Sequence, residues 1–475
     1  MPRTPFVLLV NPWITDFAAY DLWSKPLGLL TLASLLRENG IQVALVDCLD
    51  RYDPFSNTHP DMKPGVSRSY GTGKYPKMKI EKPSPYRDFP RFYYRHGIHP
   101  ESFRQKLRAL PKPDLIWVTS MMTYWYPGVQ QTIGALRDVF AEIPIWLGGV
   151  YARLCEDHAR RTSGADLVVT DPLPRIGRRV EDTLQVPVRN KDRWGDLSFL
   201  PSPAWDLVPL LEYVPILAGR GCPFRCPYCA SARLEPRWER RSGEDIHREI
   251  SRWHGERGVV DFAFYDDALL LHAESSLRPA LERLCRDGVA LRFHTPNAVH
   301  VRALTPEWCD LLFAGGFTTL RLGLETTQPQ RHRQWGGKVE ADMFEEAVRN
   351  LARAGFSKDR IGVYLLCGAP GQSPREVADA VNAVRREGLS PFLAEYSPVP
   401  GSPMWKDAVQ VSSFDIENEP LYHNNSFFAC RRADFSYRDL LELKDLALQA
   451  RRAVSGAENA PGGDKKKTHG PGMGP

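Results

Sequence analysis

The sequence predicts an α/β chain: a doubly wound, Rossmann-like amino-terminal domain followed by a partial (β/α)6 TIM-like barrel. Two observations carry this. Short, continuously apolar segments such as Phe6-Val-Leu-Leu-Val10 alternate with helix-period stretches, as strands buried on both faces of a parallel sheet do. The alternation occurs twice, five strands before a proline-bearing stretch at 187–213 and six strand–helix units after it.

In the first run the expected elements are a strand at Phe6–Val10, a helix from Leu27 to Asn39 closed by Gly40, and a strand at Gln42–Val46. After residue 113 come a strand at Leu115–Val118, a helix near Val129–Phe140, a strand at Ile145–Leu147, a helix near Ala152–Arg161 and a strand at Leu167–Val169. Sheets of this kind bind ligands beyond the carboxyl ends of their strands. The candidate loops are therefore Asn11-Pro12, Ser120 to Thr123, Gly148-Gly149 and Asp171.

Residues 51–113 interrupt the rhythm with 14 Lys/Arg against 5 Asp/Glu, ten prolines and ten aromatics, leaving the remainder of the chain at net −4. Proline density argues against regular helices or central strands, and the aromatics argue against a solvated linker. This is an ordered insertion, either a packed arm with snorkelling cations, the favoured reading, or a basic stacking surface for an anionic substrate or RNA.

Residues 1–186 thus form the first domain, 187–213 the linker and 214–410 the barrel. Its expected elements are strands at Val214–Ala218, Phe262–Tyr265, Leu291–His294, Thr319–Leu324, Ile361–Leu366 and Pro391–Tyr396. Helical stretches lie at Glu244–His254, Ser275–Arg286, Pro306–Phe313, Ala341–Ala354 and Arg375–Glu387. A helix at Tyr437–Ala453 and a Gly-, Pro- and Lys-rich disordered end complete residues 411–475.

Composition removes several classes. With 475 residues, 43% hydrophobic and 25% charged, the chain is an ordinary globular protein, and no apolar run approaches the ~18 residues of a membrane span. A net charge of +5 does not argue for nucleic acid, and without a secretory leader pattern the expected location is the cytoplasm.

The sharpest signal is Gly219-Arg-Gly-Cys222-Pro-Phe-Arg-Cys226-Pro-Tyr-Cys229, placed directly after the first barrel strand, where barrel chemistry is carried. Three thiolates at this spacing can hold one face of an iron–sulfur cube and leave one iron open, since cubane clusters ordinarily take four cysteines. The alternative is a structural zinc site, which wants a fourth Cys or His; His247 and His254 fall on a helix with no paired cysteine. Cys48, Cys155, Cys285, Cys309, Cys367 and Cys430 are scattered and read as inert thiols.

The motif resembles that of the radical S-adenosylmethionine superfamily, Cys-x-x-x-Cys-x-aromatic-Cys, with Tyr228 in the aromatic place. The resemblance continues through Phe264-Tyr-Asp266-Asp267, Arg321-Leu-Gly-Leu-Glu325, Gly368-Ala-Pro-Gly371 and Ser397-Pro-Val-Pro400-Gly401, the places where that family grips its cosubstrate. It implies a [4Fe-4S] cluster on Cys222, Cys226 and Cys229, S-adenosyl-L-methionine on the open iron, and an external electron donor such as flavodoxin or ferredoxin. Glu325 would accept hydrogen bonds from the ribose or the methionine amine, or else form a barrel-rim salt bridge. Asp266 and Asp267, where many relatives have Gly-Gly-Glu, would hold the cosubstrate's ammonium or cap the next helix. Gly368 and Gly371 would give close approach to adenosine or simply a tight turn.

Asn11-Pro12 followed by Pro26-Leu-Gly28-Leu29, with Ser120, Thr123, Gly148 and Gly149, resembles the cobalamin-binding branch of that superfamily. This implies cobalamin on residues 1–186 without a histidine ligand, since the chain has no Asp-x-His-x-x-Gly; Thr170-Asp-Pro-Leu-Pro174 departs from the Gly-Glu-Gly-Glu common there. The alternative is a retained scaffold. The expected activity is methyl transfer to an unactivated carbon of a small-molecule substrate; radical rearrangement, cyclisation or ring contraction, and a metal-stapled binding protein without turnover, are the alternatives. With only Cys48 and Cys155 before Cys222, a second cluster of the methylthiotransferase kind is disfavoured.

Overall fold

The computed structural model describes residues 3–340 and 342–454. The Lys-rich end expected to be disordered lies outside the described residues. Five parallel strands, β1 (Phe6–Asn11), β2 (Gln42–Asp47), β3 (Leu115–Val118), β4 (Ile145–Leu147) and β5 (Leu167–Val168), form the first sheet in the order β5-β4-β3-β1-β2. Every residue of β1 is buried, because helices cover both faces of a central parallel strand. The order reverses between β1 and β3, so their carboxyl ends open the crevice where such sheets take ligands.

The second sheet runs β6 (Tyr213–Ile216), β7 (Asp261–Phe264), β8 (Arg292–His294), β9 (Phe317–Glu325), β10 (Ile361–Cys367) and β11 (Ser390–Glu395). All neighbours pair in parallel, in chain order. Phe262, Phe264, Phe293, Leu320, Leu322 and Leu324 pack outward on the helices, among them Ile246, Ile250, Leu281 and Leu351. By strand alternation the intervening residues face the barrel interior.

The insertion is ordered and carries more regular structure than its prolines suggest. It contributes antiparallel strands, Lys77–Ile80 paired with Tyr93–His96, and a helix at Pro100–Arg108. Pro100 starts that helix rather than breaking it, because at the first helical position its missing N–H has no partner to lose. A further helix, Leu173–Leu184, follows β5, and the helix expected over Ala152–Arg161 is interrupted at Cys155 (φ −127°, ψ 47°).

The two halves are locked together. Asp21 and Arg51 form a buried ion pair at 3.0 Å, Arg51 also reaches Glu212 at 2.9 Å, and the Tyr213 hydroxyl donates to Asp21. Trp194 and Trp205 of the linker are fully buried. The segment after the barrel returns to the first domain: Asn424 Nδ2 donates to Asp16 Oδ1 at 2.9 Å, and Tyr86 donates to the Leu421 carbonyl. The helix Tyr437–Val454 then packs on β11 and on the helix Pro374–Arg386.

Candidate functional site

The cysteine loop leaves β6 through Gly219–Arg220, which pairs antiparallel with Glu239–Arg240, and turns at Gly221 (φ +75°). Cys222, Cys226 and Cys229 are free and half-buried. The Cys229 N–H donates to the Cys226 carbonyl at 3.0 Å, and the Ser231 N–H lies 3.4 Å from Cys229 Sγ. Burial pushes the Cys222 thiol up to about 11 and raises that of Cys226, and charge on the neighbouring thiols acts in the same direction. A bound metal supplies the opposing charge that thiolate ligands need, so three free thiols at this spacing fit an iron–sulfur cluster.

Facing them, β9 ends on Glu325, which holds a left-handed φ of 67° at a register shift between Gly323 and Glu325. Its Oε1 accepts from Lys338 Nζ at 2.6 Å, and both side chains are about nine-tenths buried. Burial alone would lower the Lys338 pKa, but Glu325, Cys226 and Cys229 outweigh it and the ammonium is held charged. Gly323 lies beside the pair: a Cβ there would touch Glu325 Oε1 at 3.4 Å and Lys338 Nζ at 3.5 Å and press on Ala298 Cβ at 3.1 Å. The stretch Trp335-Gly336-Gly337-Lys338 closes over the cysteines. Trp335 stands edge-on to Tyr228 at 5.7 Å, Lys338 lies 5.7 Å from the Tyr228 ring centre, and a Cβ on Gly336 (φ +101°) would be 3.4 Å from Cys226 Sγ. The Tyr228 hydroxyl is buried beside Cys226, and burial raises its pKa far above the usual value.

Asp266 is buried and engaged by the protein itself: Oδ2 accepts from the Ala218 N–H at 2.9 Å and Oδ1 lies 3.6 Å from Arg240. Burial pushes its carboxyl up to about 6, with Arg240 opposing. It fixes the start of the cysteine loop. Asp267 sits between Ser231 and Cys222, and no helix begins after it until Leu277, so neither residue caps one. Gly368 (φ +85°) is turned by Gln372, which accepts from its N–H at 2.8 Å and donates to the Leu366 carbonyl at 2.8 Å; the face a Cβ would take is filled by Phe428. Gly371 gives its carbonyl to Arg331 Nη2 at 2.7 Å. Beyond Pro400, the Met404 N–H donates to the Pro227 carbonyl at 2.9 Å, tying the last loop to the cysteine loop.

In the first domain, buried Asn11, followed by buried Pro12, donates from Nδ2 to Asp47 Oδ1 at 2.8 Å. Ser120 Oγ donates to the Gly148 carbonyl at 2.6 Å, and its backbone is so close to Gly149 (φ +93°) that a Cβ there would lie 2.5 Å from its nitrogen. Thr123 pairs with His423 Nδ1 at 2.8 Å, while His423 Nε2 donates to the Ile416 carbonyl at 2.7 Å. Met121 and Met122, between Ser120 and Thr123, are about half exposed, an apolar surface on the ligand edge of the sheet. From the helix that follows Gly149, Arg153 reaches the Leu234 carbonyl and, at 3.3 Å, Glu235, just beyond the cysteines. The structure thus brings the cysteine loop, Tyr228, Glu325 and the Pro400 loop together, and sets the Gly149 loop against them. Lys338 was not apparent from the sequence; the Gly336-Gly337 pair before it is the local sign of a turn there.

Residues 216–384 match the Radical SAM superfamily, and the chain carries a radical SAM domain. It is 24% identical over 221 residues to an uncharacterized methyltransferase of Pyrococcus horikoshii, covering 44% of this chain and 46% of that protein. It is 25% identical over 220 residues to the bacteriochlorophyllide d C-12(1)-methyltransferase of Chlorobaculum tepidum, covering 45% and 46%. The chain thus spans about half the length of these relatives. Among solved structures, TsrM of Kitasatospora setae, a radical S-adenosylmethionine methyltransferase with cobalamin and a [4Fe-4S] cluster bound, superposes with a TM-score of 0.63 at 16% identity, over 87% of this chain and 80% of that one. OxsB, a cobalamin-dependent S-adenosylmethionine radical enzyme with aqua-cobalamin bound, gives 0.55 at 14% identity, over 94% and 62%. These likenesses establish a shared two-domain fold.

Proposed function

We propose that this radical SAM protein is a cobalamin-dependent methyltransferase acting on an unactivated carbon of a small molecule. The observation that carries the proposal is the meeting of two ligand edges, with Arg153, on the helix after Gly149 of the doubly wound domain, bonded to Leu234 and Glu235 beside the cysteine loop. When bound, a [4Fe-4S] cluster with S-adenosylmethionine supplies a 5'-deoxyadenosyl radical on one-electron reduction, and cobalamin supplies a transferable methyl group.

Cys222, Cys226 and Cys229 would hold the cluster, and Tyr228 with Trp335 would keep water from it. Glu325, placed by Lys338, would accept hydrogen bonds from the cosubstrate. Asp266 holds the Ala218 N–H and with it the approach to Cys222. Met121 and Met122 would offer an apolar face to the corinoid, and that loop carries no histidine to ligate cobalt.

The test is anaerobic reconstitution with iron, sulfide and hydroxocobalamin, then gel filtration with metal analysis and absorbance. We expect one four-iron cluster and one corinoid per chain. With substrate and methyl-deuterated S-adenosylmethionine, S-adenosylhomocysteine and 5'-deoxyadenosine should form in equal amounts with label in the product. Deoxyadenosine alone, with no comigrating corinoid, would refute methyl transfer while sparing the cluster.

A further inference from the structure

The alternation that turns Leu320, Leu322 and Leu324 toward the helices turns Arg321 to the barrel interior, on the same face as Gly323. Arg321 is half-buried, and its guanidinium lies 4.9 Å from the centre of the Phe392 ring on β11. Gly362, opposite on β10, leaves its path clear: a Cβ there would stand 2.9 Å from Arg321 Cδ and 3.0 Å from Nε.

Arg321 differs from the other charged groups of its neighbourhood in its partners. Arg292, the neighbouring inward cation, is paired with Asp261 at 2.5 Å. His294 lies 3.0 Å from both Asp261 and Thr319, and burial lowers its pKa, so it is neutral near pH 7. Arg321 Nη1 donates to the Leu320 carbonyl at 3.0 Å, and the Tyr364 hydroxyl, donating to the Pro296 carbonyl at 3.0 Å, is its other polar neighbour. Among the described residues, no carboxylate forms an ion pair with Arg321.

The lumen is also closed on one side. Trp23 stacks on His294 at 4.5 Å and donates from Nε1 to the Tyr70 carbonyl at 2.8 Å. Both aromatics hold a left-handed φ, 62° and 61°, a strain that non-glycine residues carry where the fold demands it. A molecule entering from the cysteine end therefore meets Arg321 with an aromatic wall behind it. Arg321 and Glu325 face the interior four positions apart on β9, about 13 Å along the strand.

We infer that Arg321 anchors an oxyanion of the substrate, a carboxylate or a phosphate, and that the substrate class is anionic. The guanidinium fork suits either group bidentately, and a single ammonium does not reproduce it. The inference rests on the proposed use of the barrel as reaction chamber.

Equilibrium dialysis of the reconstituted full-length protein tests it with benzoate, phenyl phosphate and neutral benzamide as probes. At least one of the two anions should bind the wild type, and which one does tells carboxylate from phosphate. Binding should weaken at least tenfold in Arg321→Met and less in Arg321→Lys, and benzamide should bind tenfold more weakly than the better anion. S-adenosylmethionine dialysed against the same samples should bind wild type and Arg321→Met alike. Failure of both anions on the wild type, equal anion binding by Arg321→Met, or loss of S-adenosylmethionine binding in that variant would each overturn the inference. Arg321-dependent anion binding by a wild type that takes no S-adenosylmethionine would sustain the anchor and count against the radical reading instead.

Discussion

Replacing Lys338 by Met should cost the barrel about 3–5 kcal/mol, the usual penalty for stranding one partner of a buried pair. The structure sets the scale. Glu325 Oε1 and Lys338 Nζ are 2.6 Å apart with side chains 10% and 11% exposed, and two charges at 4 Å and an effective dielectric near 20 attract by about 4 kcal/mol. Solvent screening is therefore small. Glu325→Gln alone should also destabilise, because it leaves the ammonium beside thiols with no full charge opposite. The double variant, Met beside Gln, strands nothing charged and should be less damaged than the two single losses summed, by about 2–4 kcal/mol. For a domain of some 200 residues each kcal/mol moves the melting temperature by roughly 2–4 °C, so the single lysine variant should melt about 10 °C lower. Apo protein with reduced cysteines, followed by tryptophan fluorescence and far-ultraviolet circular dichroism, gives the measurement without a bound cluster. Effects that add to within about 0.5 kcal/mol would refute the coupling and leave Glu325 free to be placed by something else.

Three further outcomes are expected. Cys222→Ala, Cys226→Ala and Cys229→Ala together should abolish iron binding after reconstitution, read as iron and sulfide per chain; a retained cluster would send the search to the scattered cysteines. His423 is held neutral by burial with a pKa near 4, against about 6.5 unfolded, so the unfolded chain takes up the proton first and stability falls between those values by about 3 kcal/mol. His423→Gln should flatten that part of the urea-midpoint profile, though His96 and His300, lowered alike to about 4, keep some slope. Gly149→Ala must resolve a 2.5 Å approach to the Ser120 backbone at φ +93° and should lose about 2–4 kcal/mol, whereas Gly28→Ala, with nothing within 4 Å of its Cβ, should be neutral or gain up to about 1 kcal/mol in thermal melting.

What the sequence revealed follows the range of the interactions involved. β1 and β10 are short apolar runs ended by turn residues, and their burial on both faces is written locally. The cysteine trio spans eight residues, so its convergence needs no tertiary information. The helix at Pro100–Arg108 was hidden because proline was read as a breaker, although at the first helical position it is a starter. Asp266 shows the limit for single residues. A carboxylate after a strand can face a ligand or the backbone of the next loop, and only the fold shows that its partner is the Ala218 N–H. The Lys338–Glu325 pair depends on a bulge at the end of β9, and the Trp23–Tyr70 wall on contacts 47 residues apart, neither of which leaves a periodic trace.

The same nonlocal contacts explain why the insertion is there. A six-stranded partial barrel leaves its lumen open at one side, and Trp23 and Tyr70 of the first domain fill part of it, packed on Tyr213 and Ala263 of the barrel. Their position is fixed by Asp21, which is fully buried, accepts from Tyr213 and pairs with Arg51. Arg51 in turn donates to the carbonyls of Thr72 at 3.0 Å and of Gly71, holding the Tyr70 turn. A buried pair of this kind contributes little net stability, since desolvation offsets most of its attraction, but it penalises any arrangement that separates its members. The basic insertion is thereby joined to the barrel by directional bonds rather than by surface charge, and those bonds fix the shape of the wall opposite Arg321.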